Sequence, residues 1–148
     1  MATVHDVAAA ILARTGPMTA MKLQKLVYYA QAWHLVWEER PLFSDRIEAW
    51  ANGPVVRTLY NQHRGQFHVS SCSGRPDALT AEETSTLESV IDFYGPRSAA
   101  WLSELTHNEA PWKDARANAG LAPGQRGDVE IDQAAMAEYY GSLVGTVE

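Results

Sequence analysis

Apolar residues recur at helical spacing along most of this chain, and the densest such run covers residues 19–39. One stripe of the run consists of Leu23, Leu26, Val27, Ala30, Trp33, His34 and Trp37. Most of the remaining circumference is apolar too, through Tyr28, Tyr29, Leu35 and Val36, so the residues left to face water are Lys22, Lys25, Gln31 and Glu38. A soluble helix with so few polar positions must be covered by other elements on several sides. The pattern therefore predicts a central helix that begins near Thr19 and ends near Glu39, just before Pro41.

Capping and turn residues predict further helices on both sides of the central one. Thr3 with Asp6, and Thr80 with Glu83, have the spacing of a capping box at a helix start. Gly-Pro pairs at 16–17 and 95–96 end the two helices that follow these caps. Three more helices are predicted over about residues 97–108, over 111–118, and after Asp132, the last with its inward side formed by Ala135, Met136, Tyr139, Tyr140 and Leu143.

Two segments have the pattern of short strands. Residues 44–51 alternate between two faces, one with Ile47, Ala49 and Ala51 and the other with Glu48 and Trp50. A second, brief strand is predicted at 67–69, inside a loop rich in glycine and serine. Asn52-Gly53 predicts a turn, and Pro54 is expected at the first position of a short helix that continues to about residue 63. The predicted fold class is mainly α with a minor short-strand β element, a single compact multi-helix domain spanning residues 1–148.

The totals for the whole chain narrow the class of protein. A chain of 148 residues that is 46% hydrophobic suits one globular domain, and its formal net charge is −6. This acidity disfavours a domain whose main task is to neutralise nucleic-acid phosphates. Cys72 is the single cysteine, so an intrachain disulfide is excluded. The chain has no basic leader and no apolar run of membrane-spanning length, and we therefore expect a soluble, cytoplasmic protein without a membrane partner.

Residues that could carry chemistry are few and poorly spaced. His63, His68 and Cys72 are close together in the chain, but they match no standard zinc spacing. Cys72 has only Arg75 near it in sequence to activate its thiol as a nucleophile. The chain contains no glycine-rich phosphate loop, no GxSxG and no HExxH. The sequence therefore predicts no catalytic residue, metal or cofactor, and it favours a protein that is not an enzyme.

Two interpretations remain open for the histidines and tryptophans. His34 lies on the apolar stripe, where a histidine is more often a hydrogen-bonded core residue than a ligand. The alternative is an enzyme or small-ligand protein that uses His34, His107 or the loop histidines. Trp50, Trp101 and Trp112 either pack in the core or form exposed anchors for a partner protein. An acidic helical domain with several tryptophans and no catalytic motif favours a binding module.

Several fragments of the chain together resemble the signature of the Panacea domain. They are KLQKLVYYAQAWHL at 22–35, RPLF at 40–43, IEAWANGPVV at 47–56, YG-x-x-SA at 94–99, LTH at 105–107 and PWKDAR at 111–116. In their order and approximate gaps, these fragments are similar to the SocA-like antitoxins and the GepA-type phage-associated proteins, over about residues 3–144. The loop at 65–77 departs from the pattern.

The resemblance implies an antitoxin of a type II toxin–antitoxin system that neutralises a cognate toxin by direct protein–protein binding. Two alternatives come with the same family. One is a proteolytic adaptor that delivers its toxin to an ATP-dependent protease, and the other is a phage-associated protein with a different role. Members that bind DNA do so through an extra domain, so we expect no nucleic-acid partner for this domain alone.

The candidate partner-binding surface follows the central helix in the chain and consists of Trp50, Asn52, Gly53, Pro54, Arg57 and Tyr60. It combines a fixed turn with Trp, Arg and Tyr, the residue types that dominate protein–protein hot spots. A purely structural role is the alternative for each residue. In that alternative, Gly53 and Pro54 set a turn and a helix start, and Trp50 packs on the central helix.

Overall fold

The computed structural model of the chain describes residues 1–145, which form seven α-helices and four short β-strands around a shared hydrophobic core. In chain order the elements are α1 (Val4–Thr15), β1 (Met18–Thr19), α2 (Ala20–Glu38), β2 (Glu48–Trp50), β3 (Gly53–Val55), α3 (Arg57–Gln62), β4 (His68–Val69), α4 (Ala81–Tyr94), α5 (Ala99–Asn108), α6 (Ala110–Asn118) and α7 (Gln133–Gly145). The predicted mainly α fold with a minor β element is confirmed. The predicted domain, 1–148, also includes residues 146–148, which lie outside the described residues.

The central helix α2 begins and ends where its sequence predicts. The Thr19 hydroxyl accepts a hydrogen bond from the backbone amide of Lys22 at 3.1 Å, which caps the first turn. Glu39 then adopts a left-handed conformation with φ of 58°, and the helix stops before Pro41. Helices α1, α4, α5 and α7 all pack against α2. This cover buries residues 23–32 without a break, as expected for a central helix.

Three side chains of α2 differ from the prediction. Lys25 and Gln31, which were expected to face water, are each 1% exposed, whereas Trp37 is 44% exposed. Gln31 is buried because its side-chain amide satisfies the backbone at 42–43, with hydrogen bonds of 2.7 and 2.8 Å. Trp37 lies in the last turn of α2, where its ring stacks on Trp33 and its other face remains accessible. Helical periodicity alone does not predict the burial of these three side chains, because burial depends on which neighbouring element covers each position.

Both predicted capping boxes are present. The Thr3 hydroxyl accepts from the amide of Asp6, and the Asp6 carboxylate accepts in return from the amide of Thr3. Thr80 and Glu83 form the same pair of bonds at the start of α4. These local bonds satisfy backbone donors that the first helical turn leaves unpaired.

Helix α7 agrees with its prediction only in part. Met136 and Tyr140 are buried as expected, and Tyr139 is half-buried. Ala135 and Leu143 are exposed, so their predicted inward orientation is wrong. Helix α7 packs mainly on α2, along a face narrower than its apolar sequence indicates.

A buried carboxylate joins three helices in the core. Glu109 precedes α6, and its Oε1 accepts hydrogen bonds from the hydroxyls of Tyr29 on α2 and Tyr140 on α7, each at 2.7 Å. The Tyr28 and Tyr140 hydroxyls are 3.0 Å apart. Burial raises the pKa of Glu109, although the two tyrosine hydroxyls offset part of that effect. These bonds fix the position of α7 on α2.

The segment after α2 forms a hairpin rather than a strand followed by a helix. The predicted strand at 44–51 is shortened to β2, and it pairs with β3 in the register Glu48 to Val55, Ala49 to Pro54 and Trp50 to Gly53. The prediction that Pro54 starts a helix is therefore wrong, since α3 begins at Arg57. Pro54 is tolerated in β3 because it and Ala49 form a pair that exchanges no backbone hydrogen bonds. The Ala49 amide donates away from β3, to the Val129 carbonyl at 2.7 Å, so the strand pair needs no N–H from Pro54.

The second strand pair confirms the brief strand predicted at 67–69. Strand β4 pairs antiparallel with β1, so that Met18 is opposite Val69 and Thr19 is opposite His68. This pair holds the loop at 65–67 beside the start of α2. None of the helices in the described part of the chain is long and apolar enough to cross a membrane.

Candidate functional site

The β2–β3 hairpin and α3 form one side of an open groove of about 960 Å³, which we call the hairpin groove. Its floor is the first turn and a half of α2, which includes Met21 and Lys25. The loops at 65–67 and 126–128 complete the lining, and Asp128 of the second loop reaches the Arg57 side chain. Four separate segments of the chain therefore meet at this groove.

The structure places the six predicted partner-binding residues in two different settings. Trp50, Asn52, Arg57 and Tyr60 line the hairpin groove. Gly53 and Pro54 are buried beneath it, where they form the turn and the second strand of the hairpin. Gly53 and Pro54 contribute by positioning the hairpin residues that line the groove. Partner binding by these six residues stays a prediction.

Trp50, Arg57 and Tyr60 form a contiguous cluster on the groove wall. The ring of Tyr60 meets the ring of Trp50 edge to face, with centroids 4.9 Å apart. The guanidinium of Arg57 lies over the Trp50 ring, 5.2 Å from its centroid. Trp50 is half-buried and Tyr60 is 39% exposed, so the cluster presents aromatic surface to the groove without further rearrangement.

Glu48 holds this cluster in place from below. Its carboxylate accepts hydrogen bonds from Trp50 Nε1 at 2.8 Å and from the Arg57 guanidinium at 2.9 Å. Arg46 lies 3.3 Å away on the other side. Burial acts to raise the pKa of Glu48, but the bonds from Trp50 and Arg57 and the nearby guanidinium charges outweigh it, and the net shift is downward. Glu48 is therefore ionised at neutral pH and orients both Trp50 and Arg57.

Lys25 is a charged residue on the groove floor that the sequence interpretation missed. Its side chain is 1% exposed, and no hydrogen bond or ion pair reaches its Nζ from the described residues. Burial lowers the pKa of Lys25 to about 8. One sequence signal could have revealed it. Tyr28 and Tyr29, three and four residues further along α2, both belong to the predicted apolar face, and residues at that spacing lie on the same side of a helix as Lys25.

Gly53 makes the buried path of Lys25 possible. A Cβ atom at position 53 would lie 2.6 Å from Cε and 2.9 Å from Nζ of Lys25, closer than van der Waals contact allows. Gly53 also has φ of 124°, a conformation that other residues rarely adopt. The lysine on α2 and the glycine in the hairpin are thus spatially complementary.

The hairpin groove is locally cationic in an acidic protein. Lys25, Arg57 and Arg126 line it, together with one carboxylate, Asp128. Arg57 is already paired, both with Glu48 and with Asp128 at 3.3 Å. The overall net charge of −6 therefore hides a surface that favours a negatively charged group.

The histidines and the cysteine considered for metal or nucleophilic chemistry make other contacts. The Cys72 thiol donates to Gln62 Oε1 at 2.7 Å, and burial raises its pKa. His63 is buried and contacts the Ser71 carbonyl, whereas His68 is exposed on β4. Within residues 1–145, no group of three or more His, Cys, Asp or Glu side chains is arranged to hold a metal ion.

His34 and His107 are both engaged in packing contacts. His34 is fully buried, as its position on the stripe predicts, and its Nδ1 is 2.8 Å from Thr86 Oγ1. The His107 ring lies between the carbonyls of Ser103 and Ala51, with Nδ1 2.5 Å from the first and Nε2 3.2 Å from the second, and so connects α5 to the hairpin. These surroundings favour structural roles for both residues.

The tryptophans of uncertain placement have different environments. Trp112 is buried, and its Nε1 donates to the Trp50 carbonyl at 2.9 Å. Trp101 is 38% exposed on α5, where the Arg97 guanidinium lies 4.6 Å from its ring centroid. Of the three, only Trp50 lines the hairpin groove.

Comparison with known proteins gives a family for this arrangement. The family described as "Antitoxin SocA-like, Panacea domain" matches residues 23–113. The Antitoxin SocA of Caulobacter vibrioides (strain NA1000 / CB15N) is 28% identical over 110 residues, which cover 65% of this chain and 58% of that protein. No solved structure matches the chain.

The fold and the groove thus define a small helical domain with an open aromatic and cationic surface. The family match spans more than half of the chain and includes α2 from Leu23 onward, the hairpin and α5. The chain belongs to the SocA-like antitoxins of the Panacea domain family. It spans 58% of the length of the curated relative that it matches.

Proposed function

We propose that this protein is a type II antitoxin that neutralises a cognate toxin in the cytoplasm by direct protein–protein binding at the hairpin groove. It does so without catalysing a reaction. The family supports the antitoxin role, and the architecture of the groove supports direct binding.

The observation that carries the proposal is the Trp50–Arg57–Tyr60 cluster. These residue types supply most of the binding energy at protein interfaces, and here they lie in mutual contact on a groove wall. Glu48 fixes two of them before any partner arrives. A preorganised surface of this kind reduces the entropy cost of association.

Neutralisation requires that the bound antitoxin either covers the toxin's active site or holds the toxin in an inactive conformation. A standard interface buries about 1,600 Å² in total, or about 800 Å² on each partner. The hairpin groove would form the centre of such an interface, and the surrounding exposed surface would form its rim.

The test is co-expression with the toxin encoded by the adjacent gene, with growth rescue and affinity both measured. We expect Arg57→Ala and Tyr60→Ala each to weaken toxin binding about tenfold or more, because each removes part of the cluster. Rescue of growth should weaken in the same order as affinity.

Two substitutions outside the groove serve as matched controls. Arg75→Ala removes an arginine that pairs with exposed Asp77, and Phe93→Ala removes an aromatic ring that is 57% exposed on α4. Both should leave affinity unchanged. Equal binding by all four variants and the wild type would exclude the groove as the toxin site.

The same co-expression experiment in strains that lack ATP-dependent proteases distinguishes direct binding from delivery to a protease. Direct binding predicts that rescue persists when ATP-dependent proteases are deleted and that the toxin remains at full abundance. Loss of rescue in the deletion strain would instead support the adaptor alternative.

A further inference from the structure

Lys25 is buried, and no carboxylate of residues 1–145 forms an ion pair with it. Removing an ammonium group from water is costly unless an opposite charge or hydrogen-bond acceptors replace the solvent. Among the described residues neither is present at Nζ, and the lowered pKa of Lys25 has burial as its cause. With a pKa of about 8, the amine is still mostly protonated at neutral pH.

The position of Lys25 makes its charge available to the hairpin groove. The residue belongs to the groove floor, and its side chain passes directly beside Gly53 at the hairpin turn. The hydroxyl of Thr106, the next closest group to a Cβ at position 53, already donates to the Ser103 carbonyl at 2.8 Å. The lysine therefore lies at the base of the groove, and among residues 1–145 its ammonium makes no hydrogen bond or ion pair.

The other charged groups of the groove do not satisfy Lys25. Arg57 and Asp128 pair with each other on the wall, and Glu48 lies beneath Arg57 and also pairs with Arg46. Arg126 adds a third positive charge to the groove lining. One unpaired ammonium at the base, near two carboxylates that are already paired, suits a group with a single negative charge better than a dianion.

The walls of the groove indicate what surrounds that negative group. Trp50, Tyr60, Phe67 and Met21 supply apolar surface, and Phe67 is 76% exposed. Exposed aromatic walls above a buried cation match a peptide segment in which an acidic residue lies between apolar residues.

We propose that Lys25 is the anchor for an Asp or Glu side chain of the toxin, which enters the hairpin groove within an apolar segment and pairs with the ammonium at its base. This inference rests on the proposed function, since the toxin supplies the carboxylate. The buried amine then gains in the complex the partner that it lacks in the free protein.

The first test is a double-mutant cycle between Lys25→Met and the toxin, used as a catalytically inactive variant so that it can be purified. Each Asp and Glu of the toxin is replaced by its amide. We expect Lys25→Met to weaken binding about tenfold or more, and one toxin position to lose a similar factor with wild-type antitoxin. That toxin variant should bind Lys25→Met as tightly as the unsubstituted toxin binds Lys25→Met, because the two changes remove the same ion pair.

Lys113→Met is the matched control, since Lys113 is exposed on α6 outside the groove, and its affinity should equal that of the wild type. Wild-type affinity for Lys25→Met, alongside normal binding by the unmodified protein, would overturn this inference and leave the proposed function standing. Failure of the unmodified protein to bind the toxin would overturn the proposed function itself.

A second measurement uses the unmodified chain and does not depend on how Lys25→Met folds. Acetic anhydride labels unprotonated amines, and mass spectrometry reports the extent at each lysine. Because Lys25 is 1% exposed and is reached only from the groove, its labelling in the free protein should be slower than that of Lys113. In the toxin complex the labelling of Lys25 should fall at least a further tenfold, while Lys113 is labelled equally in both. Unchanged labelling of Lys25 on toxin binding would overturn the proposal, as would equal protection by inorganic phosphate alone.

Discussion

At the scale of single residues, the shape of the hairpin groove depends on the complementarity of Lys25 and Gly53. The lysine occupies space that only a glycine at the turn leaves open. The backbone at Gly53 also has a positive φ, so two independent constraints select glycine there. Gly16 has a positive φ as well, but a Cβ at position 16 would meet no atom within 4 Å. Comparison of the two glycines therefore separates backbone strain from steric contact.

We predict that Gly53→Ala destabilises the fold more than Gly16→Ala does. Each substitution introduces backbone strain of about 1–3 kcal/mol. Only the change at 53 also forces the Lys25 side chain to move, which should add about 1 kcal/mol. Urea unfolding monitored by circular dichroism measures the difference. Equal losses for the two variants would contradict the close contact between Gly53 and Lys25.

At the scale of elements, the β2–β3 hairpin is stable because other elements hold its edge. Strands of three residues do not form a stable pair by themselves in water. Arg116 on α6 donates to the Ala49 carbonyl at 2.9 Å, and also to carbonyls of Ala122 and Gln125 in the following loop. The buried guanidinium thereby joins the hairpin to the loop that leads into the groove-lining residues 126–128.

Arg116→Lys should loosen this connection although it keeps the charge. A lysine ammonium cannot replace the planar guanidinium at three separate carbonyls, so we expect a loss of about 2 kcal/mol in stability. Amide hydrogen exchange at Ala49, whose N–H donates to Val129, should become at least about tenfold faster. Arg14→Lys, at an exposed ion pair with Glu88, is the control and should leave that exchange rate unchanged. An unaltered rate in Arg116→Lys would show that α6 does not support the hairpin.

At the scale of the whole molecule, Lys25 lowers the stability of the free protein while it supplies the charge that we infer binds the toxin. The pKa of Lys25 falls from about 10.5 to about 8 on folding, so the folded state binds fewer protons between these two pH values. Stability from this group therefore rises as pH increases from about 8 to 10.5, and it is lowest at neutral pH. The shift corresponds to a penalty of about 3 kcal/mol at pH 7.

Lys25→Met is accordingly predicted to be more stable than the wild type by about 3 kcal/mol at pH 7. The advantage should shrink to about 1 kcal/mol at pH 9.5, since the buried amine of the wild type is then mostly neutral. Urea unfolding of both proteins at the two pH values gives the difference, in which the titration of the buried tyrosines cancels. A variant less stable than the wild type at pH 7 would show that the ammonium is compensated within the fold.

The sequence by itself determined the features that depend on neighbours within one or two helical turns. The extent of α2, its Thr19 cap, both capping boxes and the mainly helical class follow from helical periodicity and from hydrogen bonds over three residues. Residue identities in order also carried the resemblance to the family. They placed Trp50, Arg57 and Tyr60 on one candidate surface, and the structure brings these three into contact.

Only the tertiary structure decided the features that depend on distant segments. Pro54 is a strand residue rather than a helix start because Val129, far along the chain, accepts the amide that its partner Ala49 would otherwise leave unpaired. Lys25 is a buried cation rather than a solvated one because the hairpin closes over it at Gly53. Local pattern gives a side chain its face on a helix, but burial and electrostatic environment come from whatever the rest of the chain packs against that face. The hairpin groove is built from four segments, and its charged residues come together only when the chain folds.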